Sequence, residues 1–139
     1  MSGYLLVRTG REEYGLPLEA IEQVMPATDL LPAPATLPAV RGVVPLGGRL
    51  VPLVHLAALL TDGVPPDRPA GTAVIARIAG RPVALEVDEA LHVEREAPLP
   101  VPAGWELPWA LGVARRGGAL IPVVDLAALG ERLMALAKE

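Results

Sequence analysis

The chain of 139 residues has the length of one ordinary domain and is long enough to bury a core without covalent or metal cross-links. It contains no cysteine, which excludes disulfides, thiolate metal sites and cysteine nucleophiles. A net charge of −4 without a basic stripe argues against nucleic-acid binding, and no apolar run reaches the length of a membrane span, about 20 residues.

The N-terminal part predicts short strands separated by turns. Residues 4–8 and 14–18 are predicted strands, and Pro17 confines the second to a sheet edge or a strand end. Residues 19–25 fit either a short helical turn or a third strand. The chain has 16 prolines, which disfavour long helices and predict many short strands joined by defined turns.

A segment of 19 residues then occurs twice. Residues 42–60 read GVVPLGGRLVPLVHLAALL and residues 112–130 read GVARRGGALIPVVDLAALG, with 11 of the 19 aligned residues identical. Each copy predicts a strand, a glycine turn, a second strand and the start of a helix. The repeat indicates an internal duplication, because its offset is too long for a solenoid.

Between the copies, residues 61–71 are the most linker-like segment, with three prolines and two glycines. Predicted strands follow at residues 72–78 and 83–87, and residues 88–93 lead toward a loop. A C-terminal helix is expected after Asp125, whose carboxylate is a good N-cap. We expect a single domain over residues 1–139 with approximate halves at 1–66 and 67–139, between which strands can be exchanged.

Side chains that could carry chemistry are few and scattered. His55 and His92 lie in opposite halves without ligand spacing, and His55 is best interpreted as a helix cap. The carboxylates at residues 88–89 are interpreted as solvated turn charges, and the glycine pairs lack the lysine and serine of a phosphate-binding loop. The sequence therefore predicts a protein that is not an enzyme and needs no cofactor or metal.

The two tryptophans leave two interpretations open. Trp105 and Trp109 could anchor an interface, where tryptophan is enriched, or pack over the end of a barrel.

The chain resembles the CheW-like domain family, the adaptor fold of bacterial chemosensory signalling, over about residues 4–129. The resemblance rests on EYGL at 13–16, RGVV at 41–44, GRLVPLV at 48–54, Val87-Asp88, Gly112-Val113 and LIPVVDL at 120–126. It implies a mainly β fold of two pseudo-symmetric, five-stranded SH3-like barrels with short helices and a C-terminal helix.

The resemblance also implies function by binding. Family members are cytoplasmic, non-catalytic adaptors that couple the cytoplasmic tips of methyl-accepting chemoreceptors to the regulatory domain of the histidine kinase CheA, without membrane insertion. Carried over by position, the residues expected at or near the receptor-facing side are Ile21, Gln23, Val24, Gly42 and Val43.

The chain departs from the family pattern at the first glycine turn. The family usually has Asn-Leu-Arg-Gly, whereas this chain has Pro45, Leu46, Gly47 and Gly48, so Gly47 stands where the characteristic arginine is expected. Arg41 or Arg49 could supply a charge nearby. This departure motivates one alternative to a standard adaptor, a divergent competitor of a full adaptor. A separate alternative is a small-molecule-binding or hydrolytic barrel that uses the groove between barrels.

Overall fold

Ten strands and two helices form the described part of the chain, which in this computed structural model comprises residues 3–28, 30–32 and 37–137. In chain order they are β1 (Tyr4–Thr9), β2 (Glu12–Pro17), β3 (Ile21–Pro26), β4 (Val40–Leu46), β5 (Arg49–His55), α1 (Leu56–Thr61), β6 (Thr72–Ile78), β7 (Arg81–Val87), β8 (Glu89–Glu94), β9 (Ala110–Arg116), β10 (Ala119–Val124) and α2 (Leu126–Ala137). A single 3-10 turn, Leu18–Ala20, separates β2 from β3. Residues 19–25 thus supply both the helical turn and the third strand.

The strands form two five-stranded sheets. The first sheet has the order β8-β1-β2-β10-β9, and the second has the order β3-β6-β7-β5-β4. If β1 to β5 are matched with β6 to β10, one order becomes the other. The mainly β fold with two related five-stranded units is therefore confirmed.

The duplication extends to individual backbone hydrogen bonds. Leu31 and Val43 exchange two N–H···O bonds of 2.8 and 2.9 Å in one half, and Leu99 and Val113 exchange two of 2.8 Å in the other. In both halves a glycine adjoins this bridge. A Cβ at Gly42 or at Gly112 would collide with the carbonyl oxygen of the bridging leucine, so the two positions require glycine for the same reason.

Each helix begins with a side-chain cap at the same place in the repeat. The Nδ1 atom of His55 accepts a 3.1 Å hydrogen bond from the N–H of Ala58 at the start of α1. Asp125 accepts bonds of 3.1 and 3.3 Å from the first turn of α2. Both caps were predicted, and both satisfy N–H groups that the helix cannot pair internally.

The core has a central part and one smaller part within each sheet. The central cluster takes residues from β1, β2, β5, β6, β7, β10, α1 and α2. Trp109 packs against it and meets the ring of Tyr14 edge to face at 5.9 Å, whereas Trp105 is 45% exposed. The two tryptophans thus divide between the two interpretations, one packed on the core and one at the surface.

Candidate partner-binding surface

The first group of candidate residues lies on β3, an edge strand of the second sheet. Val24 is 44% exposed, Gln23 is exposed, and Ile21 is half-buried. A β-bulge between Ile21 and Gln23 interrupts the pairing of β3 with β6. Bulges re-aim side chains and are common at sheet edges. The edge strand therefore presents a valine and a polar residue to solvent.

The second group lies on the hairpin of β4 and β5. Gly47 and Gly48 form its turn with φ values of +55° and +79°, the left-handed region that favours glycine. Gly47 and Arg49 are exposed, Val43 is half-buried, and Gly42 is buried beneath Leu31. The position of the usual family arginine is therefore an exposed turn without a side chain.

Arg41 has an internal role. Its Nε atom donates a 2.7 Å hydrogen bond to Oε1 of Glu86, which is fully buried, and the Arg41 side chain is only 11% exposed. Its Nη2 atom donates to the carbonyl oxygen of Arg68 at 3.2 Å, and the N–H of Ala70 donates to Oε2 of Glu86 at 2.9 Å. The pair is thus satisfied on both sides and holds the linker before β6 against the second sheet.

Sequence reasoning missed Glu86 as the partner of Arg41. A signal was present, because Glu86 is the only charged residue in the apolar stretch of residues 83–87. A lone carboxylate in a buried strand must find a partner, since burying an unpaired charge is costly. Arg41 and Arg49 were the two arginines that could supply a charge near Gly47. Arg49 is exposed, whereas Arg41 is paired with Glu86.

The candidate residues lie on β3 and on the hairpin of β4 and β5, at opposite ends of the strand order of the second sheet. β3 begins that order and β4 ends it. The backbone of Leu31, after β3, meets Val43 on β4 through the isolated bridge. The bridge brings the chain that follows β3 into contact with β4, whereas Arg41 points to Glu86.

Both sheets expose large apolar residues at equivalent positions of the duplication. Val24 and Val93 are 44% and 43% exposed, Leu31 and Leu99 are 49% and 51%, and Leu50 and Leu120 are 63% and 41%. We call these six residues the paired apolar positions. Exposed apolar side chains that recur in both halves fit contacts with other proteins better than scattered surface residues do.

The histidines do not form a catalytic arrangement. His55 is buried and caps α1, and burial lowers its pKa. His92 is exposed, with its Nε2 atom 2.8 Å from Oε1 of Glu94. Over the described residues, no group of three or more histidine and acidic side chains is placed to hold a metal ion.

Comparison with known proteins identifies the class. The CheW-like domain model matches residues 3–133. The chain therefore belongs to the CheW-like domain family, as the sequence motifs indicated. Its fold is similar to the crystal structure of the scaffolding protein TtCheW from Thermoanaerobacter tengcongensis, with a TM-score of 0.79 and 20% identity over 92% of this chain and 91% of that one. No curated protein sequence gives a significant match.

Membership of the family supports a scaffold or adaptor role in general terms. In the part of the chain that the structure describes, no helix has the length and apolar character needed to cross a membrane.

Proposed function

We propose that the chain is a non-catalytic adaptor that couples chemoreceptors to the histidine kinase CheA. The observation that carries this proposal is the recurrence of the paired apolar positions in two equivalent sheets. A molecule with two related but non-identical faces is suited to hold two partners at once. The family match supports the same role.

On the kinase side, the proposed partner is the regulatory domain of CheA, which is related to this fold and meets it barrel end to barrel end. Single contacts of a few hundred Å² per partner give modest affinity. Repetition in an array raises the apparent affinity through effective concentration. Such an adaptor needs no cofactor, and the proposed site of action is the cytoplasm.

On the receptor side, the proposed contact is the cytoplasmic tip of a methyl-accepting chemoreceptor, at Ile21, Gln23 and Val24 together with Gly42 and Val43. The exposure of Val24 and Gln23 on an edge strand supports this assignment. The buried position of Gly42 fits a role in shaping the strand under Leu31.

The first test is size-exclusion chromatography with light scattering on the protein, the cognate kinase regulatory domain and their mixture. We expect a one-to-one complex at concentrations on the order of tens of micromolar. Two separate peaks at that concentration would remove the kinase from the proposal.

The receptor contact is tested with a matched pair of variants. Val24→Glu places a charge on the second sheet, and Val93→Glu places one at the equivalent position of the first. In a pull-down with receptor cytoplasmic fragments, we expect Val24→Glu to weaken binding about tenfold or more, because it buries an unpaired charge in the contact. Equal losses with Val93→Glu would contradict a receptor site on the second sheet.

The exposed Gly47 turn supports a second candidate, a divergent competitor that binds without activating. Under it, Gly47→Arg restores the side chain that the family usually carries and increases kinase stimulation in reconstituted arrays. A Cβ at Gly47 meets no atom within 4 Å, so the cost is the left-handed backbone, about 1–2 kcal/mol. Gly47→Ala carries the same strain without the charge and is the control. Unchanged stimulation with Gly47→Arg would remove the competitor hypothesis.

A further inference from the structure

The two residues of the buried ion pair, Arg41 and Glu86, each have a counterpart on the first sheet. In β4, a bulge lies between Val40 and Gly42, and in β9 a shift in register leaves Leu111 at the same place beside Gly112. Leu111 is therefore the counterpart of Arg41. In the parallel pairings, Leu53 faces Ala84 and Val123 faces Gly15, so Pro17 is the counterpart of Glu86.

The two equivalent places differ in the side chains that occupy them. On the second sheet, the Arg41 side chain lies over the buried Glu86 carboxylate, and the linker backbone at Arg68 and Ala70 is bonded to this pair. That place is filled by an arginine and covered by extended chain. On the first sheet, Leu111 and Pro17 hold the equivalent positions and cannot form such an ion pair.

On the first sheet, the described residues at the equivalent place line an open recess of about 390 Å³. Its lining residues are Gly3, Tyr4, Pro17, Glu19, Pro98, Leu111 and Val123. Leu111 is 55% exposed, whereas Pro17 and Val123 are buried at the base. The recess thus has an apolar floor, an exposed leucine and one carboxylate in its lining.

The charges beside the recess are mainly negative. Glu19 lines it, and Glu94 and Glu96 lie close enough to the Tyr4 hydroxyl to raise its pKa, after the larger effect of burial. Arg95 stands between these two glutamates, and Glu94 also contacts His92. With three carboxylates and one guanidinium on this side, the recess is complementary to a cation.

We propose that this recess binds an extended segment of a partner protein through an arginine side chain. The aliphatic stem of the arginine would lie on Leu111 and Pro98, and its guanidinium would reach Glu19. Long cationic side chains bury their stems on apolar surface while the charged group stays at the rim. The arrangement copies, between two molecules, what Arg41 achieves within this chain.

The proposal goes beyond the adaptor function, because it defines a partner by its chemistry and does not depend on the kinase or the receptor. The probe is an acetylated and amidated pentapeptide, alanine-leucine-arginine-leucine-alanine. Its control is the same peptide with citrulline, which keeps the shape of arginine and removes its charge. Binding is followed by amide chemical shifts in two-dimensional NMR spectra of the full chain.

We expect saturable shifts centred on Gly3, Leu111 and Val123, with affinity at least about fivefold weaker for the citrulline peptide, the scale of one charge-assisted hydrogen bond. Glu19→Gln should weaken binding of the arginine peptide and leave the citrulline peptide unchanged.

Two leucine-to-arginine variants separate the recess from general electrostatics. Leu111→Arg fills the recess from within and should abolish peptide binding. Leu50→Arg adds the same charge on the second sheet, at a residue that is 63% exposed, and should bind the peptide as the unmodified chain does. Both sites are exposed, so thermal denaturation should report a folded protein for each.

Equal binding of the arginine and citrulline peptides would overturn the proposal. Chemical-shift changes centred away from the recess would also overturn it, as would an equal loss of peptide binding in Leu111→Arg and Leu50→Arg. A complex with the kinase regulatory domain is measured separately and would be unaffected by these results, so failure of this proposal is distinguishable from failure of the adaptor function.

Discussion

His55 performs at α1 the task that Asp125 performs at α2. Its Nδ1 atom accepts from the N–H of Ala58, which requires that this nitrogen carry no proton. Burial lowers the pKa of the His55 imidazole, and Arg41 adds to this, while Glu86 and Asp88 act in the opposite direction. The folded state therefore stabilises the neutral imidazole of His55 relative to the protonated one.

This residue makes the stability depend on pH in a defined direction. Because the folded pKa lies below the unfolded value of about 6.5, the unfolded chain binds more protons on acidification. The contribution of His55 is fully present above pH about 6.5 and is lost as the pH falls toward the folded pKa. The variant His55→Asn keeps a capping side chain but has no imidazole at this position. In urea denaturation at pH 7, 6 and 5, its unfolding free energy should therefore fall less on acidification than that of the parent.

The exposed His92 provides the comparison for this experiment. His92→Asn removes one imidazole and leaves both helix caps in place, so it is the control for losing a histidine at a site that caps no helix. Identical pH profiles for His55→Asn and the parent would contradict a proton-linked cap.

At the scale of elements, the buried pair of Arg41 and Glu86 holds the linker to the second sheet. Removing one partner leaves a charge buried without compensation, which typically costs about 3–5 kcal/mol. Replacing both with apolar residues is often much less costly, because no charge remains to be desolvated. The pair therefore matters for how the linker is held more than for net stability.

We expect Arg41→Leu to lower the unfolding free energy by about 3 kcal/mol or more, because it isolates Glu86. The double variant with Glu86→Leu should recover most of that loss. In both, amide hydrogen exchange at Ala70 should increase, since its N–H loses either the ordered carboxylate or the whole acceptor. A double variant as unstable as Arg41→Leu alone would contradict this account.

The elements were predictable where the apolar pattern and the turn glycines agreed. The strand at 72–78 was predicted with the bounds that it has, and both caps were predicted at the residue that precedes each helix. β8 was missed because its polar residues, including His92 and Glu94, resemble a loop, although they form an edge strand with half of its side chains in solvent. For the site, the sequence located the exposed turn at Gly47, but it did not reveal that Arg41 faces inward.

At the scale of the whole molecule, each sheet takes strands from both sides of the linker. The hairpin of β1 and β2 joins β8, β9 and β10, and the hairpin of β6 and β7 joins β3, β4 and β5. Periodicity in a sequence indicates which residues of a strand are buried but not which strand lies beside it. The sequence therefore indicated the exchange of strands between the halves only as one possibility. The division of the chain into halves at residues 1–66 and 67–139 stays a prediction.

The arrangement predicts that neither half folds alone. Residues 1–66 and 67–139, expressed separately, each lack partners for their hairpin, so circular dichroism should show little sheet in either. Mixing the two should restore the sheet signal, since the missing strands are then supplied in trans. Native-like sheet in one isolated half would contradict the requirement for both.

The intact chain should unfold in one cooperative transition, with coincident curves from circular dichroism and tryptophan fluorescence, because the central core joins both sheets.

The mutual exchange of hairpins has a consequence for how such a chain arose. The two copies of the unit are offset by 70 residues and exchange hairpins, as the protomers of a domain-swapped homodimer do. On this view the linker is a fusion point that turned an encounter between molecules into an intramolecular one at high effective concentration. Once fused, the copies were no longer bound to remain identical, and an arginine could close one recess while its counterpart stayed open.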